Sequence, residues 1–397
     1  MAKTTTKAPE PTKAELSDEA KKAALDPQAI LGKIMVAEKE HHYNLDKPRK
    51  HYRISTGSLN LDADLGGGFG DGPQRIGGEN NTGKTPFLLN VIDNILDEVP
   101  QSRGLWFAPE NRLSDHNRAR VRHPIVLTQE EWKVGTILFF KTGVYDVIVD
   151  TMRKLVMASR QTDDRYAFVI DSLDNMILKC DIGKPAGQRR VAGAALMTKE
   201  MFMAIAAAMR EFGHWFFPIS QKTAEIKADQ YAAAANRQMD GSGGNSLAHN
   251  VDEALEFMHQ RESDLILEKP DDKPDRLTNK ILGHTLRVKL RKSSTDKRHV
   301  TVEIPIKHTT AKGNAIWRER EISDQMLGWG LLAKTKEKSS WLEVAAPLRE
   351  ELKDQGFKDI PEKVQGLNQM TTFLEGRKDV TDYLFAKFRK LIGGATT

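Results

Sequence analysis

The sequence predicts an α/β fold, with a mostly parallel sheet flanked by helices. Three observations predict it. From Arg53 to about Arg291, short apolar runs alternate with longer segments of helical spacing. One run leads into the glycine-rich turn Gly78-Glu79-Asn80-Asn81-Thr82-Gly83-Lys84-Thr85, which fits G-x-x-x-x-G-K-[ST]. Later apolar runs each deliver a polar side chain at their C-terminal end, where an open α/β sheet gathers its ligands.

Bulk properties set limits before any element is examined. A chain of 397 residues can bury a substantial core and hold one large domain with smaller pieces attached. Its 60 Lys and Arg against 55 Asp and Glu leave +5, which permits a polyanionic partner without demanding one. Cys180 is the single cysteine. An internal disulfide is therefore excluded, and a reducing compartment, the cytoplasm, is expected. No apolar run approaches the roughly 20 residues that cross a bilayer, so no membrane partner is expected.

Taken in order, residues 1–16 are rich in Lys, Thr, Pro and Ala without an apolar stretch, and read as a disordered tail. Residues 17–52 read as an N-terminal helical segment. A helix is expected from about Ser17 to Glu40, interrupted at Pro27, with Leu31, Ile34, Met35 and Ala37 as a modest apolar stripe. His41, His42 and His51 lack a ligand spacing and read as surface residues. Residues 53–318 form the α/β core and residues 319–397 a small C-terminal domain.

Within the core, Gln74-Arg75-Ile76 is a strand and Phe87 to Leu96 a helix, the context a phosphate loop requires. Backbone N–H groups of Gly78, Glu79, Asn80, Asn81, Thr82 and Gly83 would face phosphate oxygens. Lys84 would reach the β- and γ-phosphates and Thr85 would hold Mg²⁺. Pro86 also belongs to the loop but withholds an N–H, at a first-turn position where proline costs little. The buried strand Gly104 to Ala108 ends at Pro109-Glu110, Tyr166 to Ile170 delivers Asp171, and Trp215 to Ile219 delivers Gln221. Asp171 would complete the Mg²⁺ shell begun by Thr85, and Glu110 would orient or deprotonate the attacking water. Gln221 would hydrogen-bond the γ-phosphate and report its loss.

With these motifs in this order, the chain resembles the RecA-type recombinases. Ile54-Ser55-Thr56-Gly57-Ser58-Leu59-Asn60-Leu61-Asp62 and the turn Gly66-Gly67-Gly68 look like the family's entry into its core. Pro109-Glu110-Asn111-Arg112-Leu113 sits where the family carries its catalytic glutamate, Val169 to Ser172 resembles its metal strand, and Ile219-Ser220-Gln221 its sensor. Arg287 to Lys292 resembles the late strand whose lysines reach a neighbouring protomer's nucleotide, which makes Lys292 a catalytic residue in trans. Gly330 to Lys334, Trp341-Leu342 and Phe373 to Gly376 echo the C-terminal domain.

The resemblance covers roughly residues 17–390. It implies a RecA-like ATPase core using ATP and Mg²⁺, with two loops facing DNA. Lys179, Lys184, Arg189 and Arg190 fall in the first loop. Lys222, Lys227 and Arg237 fall in the second, which ends at Gly243-Gly244-Asn245. Their basic side chains and N–H groups would grip the phosphates of a single strand without reading its sequence.

The chain also departs from the family. A second trans lysine is replaced by Ser294, and His116 and Asn117 stand where an aromatic side chain would cover adenine. The resemblance implies an ATP-dependent DNA recombinase that self-associates into a helical filament on single-stranded DNA. It would pair that strand with homologous duplex DNA. A hexameric helicase or loader ATPase, or a DNA-binding scaffold with a dead nucleotide site, are the alternatives.

Overall fold

A computed structural model describes residues 26–38, 48–185, 193–221, 250–268, 273, 275, 278–295, 297, 299–308, 315–336 and 339–393. The chain divides into two units, Met1–Pro48 and Arg49–Thr397.

The first unit contains helix α1 (Pro27–Ala37). Asp26 Oδ2 accepts from the Ala29 N–H at 3.3 Å. Pro27 occupies the first turn, where its missing N–H has no intrahelical partner to lose. Pro27 therefore opens α1. Residues 17–25 lie outside the described part. No residue of α1 is buried, and Leu31, Ile34 and Val36 are exposed.

The second unit begins with α2 (Leu59–Asp64), β1 (Gly72–Gly78), α3 (Lys84–Glu98), β2 (Ser102–Phe107), α4 (Asp115–Arg120), β3 (Ile125–Val126) and β4 (Ile137–Phe140). It continues with α5 (Tyr145–Ala158), β5 (Arg165–Ile170), α6 (Gly193–Phe212), β6 (Trp215–Gln221), β7 (Glu253–Phe257), β8 (Leu265–Leu267), β9 (Ile281–Lys292) and β10 (Thr301–Lys307). These strands make one ten-stranded sheet in the order β10-β9-β7-β1-β6-β5-β2-β4-β3, with β8 on β9. From β7 to β3 every pairing is parallel, while β9 runs antiparallel to β7, β8 and β10.

Burial on both faces explains why the central strands read as unbroken apolar runs. All six residues of β5 are buried, as are the first six of β6. Helix α3 packs on β1 and β2, and its Phe87, Leu88, Val91, Ile92 and Ile95 join the main core. Helix α6 packs on β1 and β6. The register brings the strand ends level: Gly78 lies opposite Gln221 on one side and Phe257 on the other, and Phe107 lies opposite Ile170.

The Ser55–Asp62 segment explains how α3 is held. Asp62 is fully buried, and burial raises its carboxyl above the ordinary value against hydrogen bonds from Ser55 and Thr56. Asn90 and Asn94, one turn apart on α3, donate to the Thr56 and Ser55 carbonyls at 2.9 and 2.8 Å. These two bonds tie α3 to the Ser55–Asp62 segment behind the glycine-rich turn.

The chain ends in α7 (Arg318–Gly328), β11 (Leu332–Lys334), β12 (Trp341–Val344), α8 (Ala346–Asp354), β13 (Lys363–Gln365), α9 (Gly366–Gly376) and α10 (Lys378–Leu391). Its three strands form a separate antiparallel sheet around Leu342, Val344, Leu374, Leu384 and Phe388. Buried Glu321 accepts from Ser58 Oγ at 2.5 Å and the Leu59 N–H at 2.7 Å. Arg389 donates to both carboxylate oxygens of Glu98 at 2.8 Å.

Candidate nucleotide-binding site

The turn between β1 and α3 is built by backbone conformations that few residues tolerate. Gly78 has φ +148°, and a Cβ there would stand 2.5 Å from the Phe257 carbonyl oxygen. Asn81 and Gly83 have φ of 59° and 85°, a left-handed conformation that asparagine and glycine adopt most readily. The result is a curled turn ahead of the N-terminus of α3, where unpaired N–H groups and the helix dipole favour anions.

Lys84 Nζ folds back on this turn, donating to the Gly78 carbonyl at 3.0 Å and also to that of Glu79. Burial lowers the ammonium from its ordinary value, opposed by Asp171, Asp174, Glu110 and Glu79. Thr85 Oγ1 donates to Asp171 Oδ2 at 2.9 Å. Burial pushes the Asp171 carboxyl up to about 6 against the Thr85 hydrogen bond, and neighbouring Glu110 adds to the rise.

Glu110, just beyond β2, is the hub of the far wall. Its Oε1 accepts from Ser172 Oγ at 2.9 Å, Asn175 Nδ2 at 2.6 Å and Gln221 Nε2 at 2.9 Å. The Gln221 N–H donates to Asp174 Oδ2 at 2.9 Å. A cleft of ≈ 720 Å³ is lined by Asn80 to Pro86, Glu110, Arg112, Asn117, Asp171, Asn175, Ile219 and Gln221.

The structure thus brings together Lys84, Thr85, Glu110, Asp171 and Gln221, with Asn80 to Pro86 along one side. It does not bring Lys292 to them. Lys292 ends β9 opposite Ala254, which itself pairs with Arg75 midway along β1. There it lines a second cleft of ≈ 770 Å³ with Arg53, Asp71, Glu253 and Ser294, at the other end of the parallel strands.

Lys179 donates its backbone N–H to Asp146 Oδ2, and Lys184 Nζ donates to Asp181 Oδ1, both at 2.7 Å. Arg189, Arg190, Lys222, Lys227, Arg237, Gly243, Gly244 and Asn245 lie outside the described residues. His51 faces Asp71 at 2.5 Å. Among the described residues no cluster of three His, Cys, Asp or Glu could hold a metal, and no helix is long and apolar enough to cross a membrane.

Sequence reasoning missed Arg112, Asp174 and Asn175. The available signal was the density of polar residues in Asp171-Ser172-Leu173-Asp174-Asn175, immediately after an apolar strand.

No family model matches the chain. A curated relative, the DNA repair protein RadA of Pseudomonas aeruginosa, is 28% identical to it over 146 residues. That match covers 36% of this chain and 28% of the relative's length. Over that stretch, this protein is similar to a DNA repair protein.

Proposed function

We propose that this protein is an ATP-dependent DNA recombinase of RecA type, which assembles on single-stranded DNA as a helical filament and promotes homologous pairing and strand exchange. The observation that carries the reading is the convergence of Lys84, Thr85, Glu110, Asp171 and Gln221 on one cleft. Support for DNA as the partner comes from the partial similarity to a DNA repair protein.

The oxygen donors fit Mg²⁺. Thr85 Oγ1 and the Asp171 carboxylate are hard ligands 2.9 Å apart. Mg²⁺ on a nucleotide needs only one or two such groups, because phosphates and water complete its shell. When bound it would neutralise charge on the β- and γ-phosphate oxygens.

The chain's own residues supply the rest. Lys84 leaves the Gly78 and Glu79 carbonyls for the phosphates, a trade of neutral acceptors for charged ones. Glu110, held through Oε1, keeps Oε2 for the attacking water. Gln221 links that carboxylate to the end of β6. Lys292, remote from the cleft in its own chain, acts on the nucleotide of an adjacent protomer.

Electron microscopy with single-stranded DNA and a non-hydrolysable ATP analogue tests the reading. Helical filaments are expected. Closed rings would favour the helicase or loader alternative, and absence of any DNA-dependent assembly or hydrolysis would overturn the proposal.

A further inference from the structure

Among the described residues, four buried side-chain oxygens have no hydrogen-bond partner, and three of them line one cleft. They are Asp71 Oδ1, Gln74 Oε1 and Glu253 Oε2, in the ≈ 770 Å³ cleft at the start of β1 and β7. Each side chain is fixed by its other polar atom. Asp71 Oδ2 faces His51 Nδ1 at 2.5 Å, Gln74 Nε2 donates to the Gly70 carbonyl at 3.0 Å, and Glu253 Oε1 accepts from Ser294 Oγ at 3.0 Å. Gln74 and Glu253 stand opposite each other in the β1–β7 register, so their side chains leave the sheet on the same face. Both residues are 1% exposed, and the Asp71 side chain 5%. Buried acceptors without donors are costly, and a ligand that brings the donors removes that cost.

We infer that this cleft binds a primary ammonium group, held by Asp71, Gln74 and Glu253. An ammonium carries three donors and no acceptor, which matches three unpartnered acceptors. Its single charge matches too. Asp252 is met by Arg210, whose Nε donates to both its oxygens at 3.0 and 2.8 Å. With His51 uncharged, Asp71, Glu211 and Glu253 then face Arg53 and Lys292, which leaves one negative charge in the lining. Burial raises both carboxyls of the site, Glu253 to about 7 and Asp71 to about 6, as expected of negative charge short of a partner cation. A divalent metal fits less well. Among the described residues no cluster of three His, Cys, Asp or Glu could hold one, and Arg53 already lies 3.9 Å from Glu253. The ammonium has two sources, a free aliphatic amine or a lysine of a second copy of this chain. Neither nucleotide nor DNA takes part, so the site stands apart from the proposed function.

Calorimetric titration of the full chain with butylammonium chloride tests this, without nucleotide or DNA and at several protein concentrations. Saturable binding is expected. Glu253→Gln and Asp71→Asn should each weaken it by about tenfold or more, the usual worth of a hydrogen bond to a charged group. Both changes preserve side-chain shape, and thermal unfolding checks that the variants fold. Butyltrimethylammonium, with the same stem and charge but no N–H, should neither bind nor compete. Affinity independent of protein concentration assigns the site to a free amine. Affinity that falls as protein concentration rises, with light scattering showing that butylammonium disperses the assemblies, assigns it to a second copy's lysine.

No saturable binding, equal binding of butyltrimethylammonium, or parental affinity in the two carboxamide variants would overturn the ammonium site. Binding seen only after Lys292→Ala would overturn it too, by showing that the chain's own lysine fills the cleft. Absence of DNA-dependent assembly or hydrolysis would sink the functional reading and leave this site standing.

Discussion

Gln221 Nε2 donates to Glu110 Oε1 at 2.9 Å, so the last residue of β6 holds the residue beyond β2 across the intervening β5. Ser172 and Asn175, which follow β5, reach the same oxygen. Three neighbouring strand ends therefore converge on one carboxylate oxygen. This is the arrangement expected of a side chain whose direction matters more than its charge alone.

Lys84 and Glu110 should separate binding from chemistry. On the proposed reading Lys84→Ala removes the cation that would meet the phosphates in the ground state, and tight ATP binding should be lost. Glu110→Gln should bind ATP and lose hydrolysis by about 10²–10⁴-fold, the usual worth of a general base. Equilibrium binding and turnover on the same preparations check this, and parental turnover by Glu110→Gln would end the assignment.

Gly78 and Gly70 offer a contrast in backbone tolerance. A methyl group at Gly78 meets the Phe257 carbonyl oxygen at 2.5 Å, and φ there is +148°. Gly78→Ala should lose nucleotide binding and about 1–3 kcal/mol of stability. Gly70 has nothing within 4 Å of the added atom, so Gly70→Ala should stay within about 0.5 kcal/mol of parental. Denaturant unfolding of both variants measures the difference.

Glu321 should make stability fall as pH rises. Burial pushes its carboxyl up to about 8 from an ordinary 4.5. Between those values the folded state holds a proton that the unfolded state has released. Its contribution is thus whole below about 4.5 and is lost as pH climbs through about 8. Glu321→Gln keeps the acceptor for the Leu59 N–H and cannot titrate, so its unfolding free energy should vary less with pH over that window. Glu253, raised to about 7, and Asp71, raised to about 6, have the same sign and should leave a residual slope. An unchanged slope in Glu321→Gln would show that the carboxyl titrates normally in the folded protein.

Lys292 and Lys84 should complement each other between protomers. Each single alanine variant should lose most DNA-stimulated hydrolysis. Mixtures should regain some, because one neighbour can present an intact Gly78–Thr85 turn opposite an intact Lys292. Hydrolysis measured across mixing ratios checks this, and no recovery at any ratio would count against a shared site.

The glycine-rich turn, the buried strands and the polar residue at the end of each were legible because they are local. A turn of this geometry requires glycine or asparagine at particular positions, and a strand buried on both faces must be apolar throughout. Strand limits shifted by a residue or two, with Gln221 inside β6 instead of after it. The short β3 and β8 left no periodic signal to read.

The sequence by itself determined which residues are candidates for the chemistry, since G-x-x-x-x-G-K-T and carboxylates after apolar strands stand out by type and spacing. Only the tertiary structure decided which of them meet. Sheet order is a matter of long-range pairing, so no local pattern announces that β6, β5 and β2 lie side by side and bring Gln221, Asn175 and Glu110 within hydrogen-bonding distance. The same holds for Lys292. Its antiparallel strand carries it to the opposite end of the sheet from Lys84, because β9 returns along β7 from the far side.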